Sequence, residues 1–375
     1  MTTIYLDHQA TTPIDPRVLE AMLPWMAQPA NPHAAHALGR RAAEAVETAR
    51  RQVAELVGVH EREVFFTSGA TEAANIALRS LPRGTRVLTN RIEHACVLET
   101  LQVLLGRLDV HFADVDADGM LDPDELADRL DGFNAVVSMA VNNEIGTVQP
   151  LADIAAACRL ADVDLLTDVT QAVGRIPLDL TALSVRAAWL SSHKIYGPQG
   201  IGALIWRGES APEPLGTGGG QERGIRPGTV PTALAVGFGA ACEIAGREME
   251  QDARHAAALA ERMISRIRQS HPDAVVNGSR EHRVPHNLNV AFPGVDADAL
   301  VGMLPGLAIS TGSACSSGAL GLSHVLTAIA AQEVAASSIR MGFGRTTTVA
   351  EVDAAAKMIS EAVDALVGGT LRKVG

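Results

Sequence analysis

The sequence predicts an α/β protein built on a mainly parallel sheet, and three observations carry that reading. Short β-rich runs alternate with longer runs whose apolar residues recur at helical spacing. Aromatic residues make up only 3% of the chain, while Ala, Val, Leu and Gly are abundant, which suits small-residue packing of helices on a sheet. Hydrophobic residues make up 47% of 375 positions, enough for one large domain and a smaller one.

The elements follow in order. Residues 34–57 carry helical periodicity without proline. Glu63–Thr67 is a strand, Ser68–Thr71 a small-residue turn, and Glu72–Arg79 a helix. Arg86–Thr89 and Ala135–Val141 read as strands, and a loop over Asn142–Pro150 precedes a helix over Leu151–Ala161. Asp164–Val169, Ala187–Leu190 and Gly202–Trp206 are further strands. Near residue 250 the pattern changes. One Ala- and Glu-rich helix fills 232–269, followed by a strand (Asn287–Phe292), a helix (Asp296–Leu304), a Gly/Ser-rich loop (Ser310–Gly321) and a helix over Val349–Val367. The expected division is a large domain over 13–250 and a small one formed by 1–12 and 251–375. No internal repeat or low-complexity linker interrupts it.

Thirty-one basic against 43 acidic residues give a net charge of −12, which argues against direct nucleic-acid binding. Cys96, Cys158, Cys242 and Cys315 are scattered, with neither CxxC nor metal-ligand spacing. They read as reduced thiols. The N-terminus lacks the basic and apolar regions of a signal peptide, and no apolar run spans a bilayer. A cytoplasmic enzyme with no membrane contact is the expectation.

Four segments carry chemistry. Ser191-Ser192-His193-Lys194-Ile195-Tyr196-Gly197-Pro198 ends a strand with a lysine in a tight polar loop. A shielded lysine there would serve as a Schiff-base nucleophile, and the same segment equally fits a solvent-facing lysine. Asp168 closes the apolar run Val163–Val169, at the carboxyl edge of a parallel sheet where ligands bind; capping the next helix is the alternative. Thr67-Ser68-Gly69-Ala70-Thr71-Glu72 leads from strand to helix, where free N–H groups suit a phosphate or merely start a helix. Ser310–Gly318 is a small-residue loop with Cys315 at its centre, whereas the other three cysteines sit in apolar, helix-like contexts that bury a thiol.

Together with Tyr5–Pro13, Asn31-Pro32-His33, Glu93-His94, Val141–Pro150, Gly218–Gly224 and Arg340–Arg345, these segments make the chain resemble the cysteine desulfurases. These are enzymes of the class V aminotransferase fold that use pyridoxal 5'-phosphate (PLP). The resemblance covers nearly the whole chain and implies fold type I, with a mainly parallel seven-stranded sheet in the large domain and a small C-terminal α/β domain. It implies that Lys194 carries the cofactor, Asp168 pairs with its ring nitrogen, His94 lies over the ring and moves protons, and Gln171 meets the ring hydroxyl. Ala70, Thr71, Ser191 and His193 would hold the phosphate. Thr229 would reach the phosphate of a partner subunit, which implies a homodimer. Asn143, beside the cofactor, and Arg340 would take the carboxylate of L-cysteine. Cys315 would accept the sulfur as a persulfide, leaving alanine, and pass it to an acceptor protein for sulfur-containing products or iron–sulfur clusters. No resident metal is implied, although Cys315 would be able to ligate a cluster transiently.

Two positions depart from the commoner pattern: Pro227 stands where Ser is usual, and Leu322 where Pro is frequent. Neither removes a reacting group. An aminotransferase would not need the thiol of Cys315, a selenocysteine lyase would share every residue, and a non-catalytic relative would have lost Lys194, Asp168 or Cys315.

Overall fold

Seven strands form the central sheet, in the order Val64–Thr67, Gly202–Trp206, Ala187–Ser191, Asp164–Asp168, Ala135–Val137, Arg86–Asn90, Asp109–Ala113. Gly202–Trp206 runs antiparallel to both neighbours and the other six run in one direction. This computed structural model describes residues 3–311, 322–330 and 332–371. Strands such as Ala187–Ser191 are buried along their whole length, as apolar runs covered by helices on both faces must be.

Because six strands share a direction, Thr67, Asn90, Asp168 and Ser191 end at one edge of the sheet. Gly202 lies at that edge between Thr67 and Ser191. A Cβ on Gly202 would stand 2.4 Å from the Leu190 carbonyl oxygen and 2.7 Å from Cα of Gly69, so only glycine lets these backbones meet.

The helices follow the sequence periodicity, with ends set by local chemistry. The helix expected from residue 34 spans Ala37–Val57, because His36 caps it: its Nδ1 accepts the Gly39 N–H at 3.2 Å. Gly58, at φ 68°, ends it in the left-handed conformation. The strand expected over Ala135–Val141 is regular only over Ala135–Val137. The Met139 N–H turns aside to Oε1 of Glu93 at 2.6 Å, while Ser138 and Ala140 still donate to Leu166 and Asp168. A helix over Pro16–Met26, capped by Asp15, and the edge strand Asp109–Ala113 are additions to the sequence reading.

The helix Thr232–Ser270 has 39 residues and runs for about 58 Å at 1.5 Å per residue. Ala235, Phe238 and Ala241 join the core beneath the central sheet, whereas Leu259, Met263 and Ile267 join a second core. That second core includes Leu6, Val290, Ile339 and Ile359. It packs on an antiparallel sheet of Ser310–Thr311, Ser338–Gly342, Asn287–Ala291 and Val275–Val276. The N-terminal strand Ile4–Tyr5 pairs in parallel with Leu307–Ala308, and Asp7 bridges to Gly342.

One buried ion pair ties the helix Ala37–Val57 to the Gly-rich segment. Arg50 donates to both carboxylate oxygens of Glu222 at 2.8 Å, and Oε2 also accepts the Phe66 N–H at 2.8 Å. Both side chains are less than a tenth exposed. Removing one partner would strand a buried guanidinium and a backbone donor, so Glu222→Ala should cost about 3–5 kcal/mol. Urea denaturation followed by tryptophan fluorescence checks this; an unchanged midpoint would contradict it.

Candidate active site

The carboxyl edge of the large sheet opens into a cavity of about 240 Å³. Ala70, Thr71, His94, Asn143, Asp168, Gln171, Ser191, His193, Lys194 and Arg340 all line it. These ten residues come from six separate stretches of sequence. Thr229 is exposed and away from the cavity, and Cys315 lies outside the described residues.

Lys194 sits at the end of a short turn, Ser192–Lys194, that follows the strand Ala187–Ser191. Gly197 folds the chain back, its N–H reaching the Ser192 carbonyl at 3.1 Å. A Cβ on Gly197 would stand 2.0 Å from Oγ of Ser192. The Lys194 ammonium is not solvent-facing. It donates to the carbonyls of Gln9 at 2.5 Å and Ala10 at 2.9 Å. Gln171 donates to the same Gln9 carbonyl at 3.1 Å. The segment Gln9–Thr12 is thereby strapped to the lysine turn, with Thr12 donating to His193.

Asp168 is buried, and its Oδ1 accepts the Thr170 N–H at 2.8 Å. No α-helix follows it, so the capping alternative does not apply. The helix Ala70–Arg79 starts at Gly69 without a side-chain cap, and the Ala70 N–H donates to Oγ of Ser191 at 2.8 Å. An uncapped helix start beside two hydroxyl side chains and a histidine is a donor set for a phosphate. With an amine and a carboxylate in the same cavity, these residues fit PLP.

Burial dominates the electrostatics. It lowers the His94 pKa, the nearby Lys194 charge adding to the effect and Asp168 opposing it. Nδ1 of His94 accepts the Cys96 N–H at 3.1 Å, so the neutral ring carries its proton on Nε2. Burial, then Lys194, lowers His193 to about 4. Glu93, fully buried behind His94, is raised to about 8 by burial. Arg340 is 2% exposed. It donates from Nη2 to Oδ1 of Asp7 at 2.8 Å and from Nη1 to the Asn143 carbonyl at 3.2 Å. It therefore both lines the cavity and forms a structural ion pair.

Gln9 and Cys96 also line the cavity and were not singled out from sequence. Gln9 was legible, since it falls inside the Tyr5–Pro13 motif. Cys96 fitted the pattern of an inert buried thiol, and burial, with the carboxyls of Asp168 and Glu93, does raise its pKa strongly. Among the described residues no cluster of three or more His, Cys, Asp or Glu is arranged to hold a metal. None of their helices is long and apolar enough to cross a membrane.

Residues 4–355 match the family model described as aminotransferase class-V. A human protein named cysteine desulfurase is 46% identical over 362 residues, covering 93% of this chain and 79% of its own. A solved structure titled NifS-like protein superposes with a TM-score of 0.90 at 34% identity, covering 97% of this chain and all of that one. The structure titled SspA in complex with cysteine superposes with a TM-score of 0.80 at 32% identity, covering 92% of this chain and all of that one.

Buried neutral histidines give stability a pH dependence. Burial, then the Arg175 charge, lowers His8 to about 3; the same two causes, then His8, put His286 well below the ordinary value. With His94 and His193, these rings bind fewer protons folded than unfolded. Stability is therefore full above about pH 6.5, the unfolded histidine value, and falls as pH drops toward 4. Glu93 acts oppositely, its contribution being lost as pH rises from 4.5 through about 8. Burial raises Glu144 and Asp164 in the same direction as Glu93, and four histidines against these three acids predict a maximum near neutrality. Urea midpoints from pH 4.5 to 8.5 check it, and His8→Asn should flatten the acid limb. An acid limb unchanged by that substitution would contradict the account.

Proposed function

The chain belongs to the cysteine desulfurases, a PLP-dependent group of the class-V aminotransferase family, and from that premise we propose that it moves the sulfur of L-cysteine onto Cys315, releasing L-alanine. The observation that carries this reading is the convergence of Lys194, Asp168, His94 and Arg340, from four distant segments, on one cavity.

When bound, the cofactor supplies an electron-withdrawing ring that acidifies the α-carbon of an attached amino acid. The chain's own groups do the rest. The helix start at Ala70 and Thr71, with Ser191 and His193, holds the phosphate. Asp168 would pair with the ring nitrogen, and Gln171 would orient the ring hydroxyl. Arg340 and Asn143 receive the substrate carboxylate. Lys194 would hold the cofactor, and its amine would move the α-proton. Neutral His94 has its Nε2 proton available for transfer to the reacting groups.

The Cys315 thiolate then attacks the substrate sulfur. A sulfur–sulfur bond forms, the Cβ–S bond breaks, and a proton delivered to Cβ completes alanine, leaving a persulfide for an acceptor protein. Burial supports Cys315 as the acceptor indirectly. It raises the pKa of Cys96, Cys158 and Cys242, with Asp168 adding to the effect at Cys96 and Asp164 at Cys158, and so keeps all three as unreactive thiols.

The same reading includes a homodimer in which the exposed Thr229 serves the partner's cofactor, and a cytoplasmic enzyme. The two hydrophobic cores support a division near residue 250.

Cys315→Ala should keep the visible band of bound PLP and lose alanine formation from L-cysteine by at least about a hundredfold. Full alanine release from that variant would overturn the sulfur assignment. Lys194→Ala should lose the band of the lysine-linked cofactor, and an unchanged band would overturn the lysine assignment. Absorbance spectra and alanine assays on the two purified variants decide both.

A further inference from the structure

His193 lines the active-site cavity, and what its ring can offer there depends on where its proton sits. Nδ1 lies 3.0 Å from Oγ1 of Thr11. Nε2 has no hydrogen-bond partner among the described residues. Burial, then the Lys194 charge, lowers the ring to about 4, so it is neutral near pH 7. A neutral imidazole carries one N–H, and a phosphate dianion offers only acceptors. His193 can therefore donate to a phosphate in the cavity only with its proton on Nε2. Nδ1 must then accept a hydrogen bond.

Thr11 is placed to supply that bond. The Gln199 amide donates to its Oγ1 at 3.4 Å, which leaves Nδ1 of His193 as the acceptor for the hydroxyl proton. The main chain of Thr11 is held by other groups. Its carbonyl accepts from the Tyr5 hydroxyl at 2.8 Å. The next residue, Thr12, donates its N–H and its hydroxyl to the His193 carbonyl at 2.9 and 2.8 Å, and its Oγ1 accepts the Tyr196 N–H at 2.7 Å. Adjacent threonines thus divide the work: Thr12 docks the two backbones, and Thr11 meets the ring. The docking does not depend on the Thr11 hydroxyl.

We propose that Thr11 is a positioning residue that fixes His193 as the tautomer protonated on Nε2, so that the ring offers the cofactor phosphate a neutral donor. The proposal deepens the function proposed above and rests on its reading of His193 as a phosphate ligand. Thr11 is not in the wall of the cavity and acts through the imidazole. A fixed neutral donor meets the phosphate without setting a second positive charge beside Lys194.

The test compares PLP with pyridoxal, which lacks the phosphate, each binding to the full-length enzyme freed of cofactor. Thr11→Val removes the hydroxyl and keeps the branched shape. It should weaken PLP binding about fivefold, as expected for one lost hydrogen bond at a partly buried group, and leave pyridoxal binding unchanged. Thr11→Ser, which restores a hydroxyl, should recover the preference for PLP. Heteronuclear NMR of the PLP-loaded enzyme labelled at histidine should show His193, identified by the signal lost in His193→Ala, protonated on Nε2 and bare on Nδ1.

Equal weakening of PLP and pyridoxal in Thr11→Val would mean a merely structural role and overturn the proposal. Unchanged PLP binding in that variant, or a proton on Nδ1 of His193 in the unsubstituted enzyme, would overturn it too. His193→Ala tests the reading beneath. If it loses the preference for PLP while Thr11→Val keeps it, His193 holds the phosphate and the proposal fails alone. If His193→Ala also keeps the preference, His193 is not a phosphate ligand, and both fail.

Discussion

Much of the active site depends on one close approach of backbones. Gly202 enters the central sheet against the direction of its neighbours and touches Gly69, at the start of the helix Ala70–Arg79. Any side chain at 202 would push apart the two strands that deliver Ala70 and Ser191. With glycine there, the uncapped helix start lies beside the Ser191 hydroxyl and Lys194 follows within one turn. The proposed phosphate donors and the proposed cofactor lysine are thus set by one contact that carries no chemistry of its own.

Around that frame, burial decides which groups are available to react. The cavity keeps Asp168, Lys194 and Arg340 close together, where charges act on one another through little water. The same burial keeps His94 neutral and holds the thiol of Cys96 protonated although it lines the cavity. With Cys96 held protonated, the proposed function assigns sulfur acceptance to Cys315, in the Gly/Ser-rich stretch of the sequence. The ion pair of Arg340 with Asp7 fits the same economy: a guanidinium this buried has its charge balanced before any substrate arrives.

Residues that end strands were the most legible in the sequence. Apolar runs that stop at Asp168 and at Ser191 mark the carboxyl edge of a parallel sheet, and the small-residue turn at Gly69 marks a helix start. The long helix was legible because 39 residues of continuous periodicity admit few other readings. The antiparallel sense of Gly202–Trp206 was hidden, because side-chain alternation is the same in either direction. The shortened strand at Ala135 was hidden because Glu93, distant in sequence, claims the Met139 N–H. Cys96 is the buried, inert thiol that its helical context indicated, but that context does not tell that a cavity lies beside it. The Asp7–Arg340 pair spans nearly the whole chain and emerges only when the N-terminal strand pairs with Leu307–Ala308 and Asp7 bridges to Gly342.

The most direct test of the account is a single-turnover experiment. The PLP-loaded enzyme is mixed with less than one equivalent of L-cysteine, without reductant, and digested under conditions that preserve persulfides. The account predicts one alanine per cysteine consumed and a mass increase of one sulfur on the peptide containing Cys315. Alanine formed with the extra sulfur on Cys96, or on no cysteine at all, would contradict it.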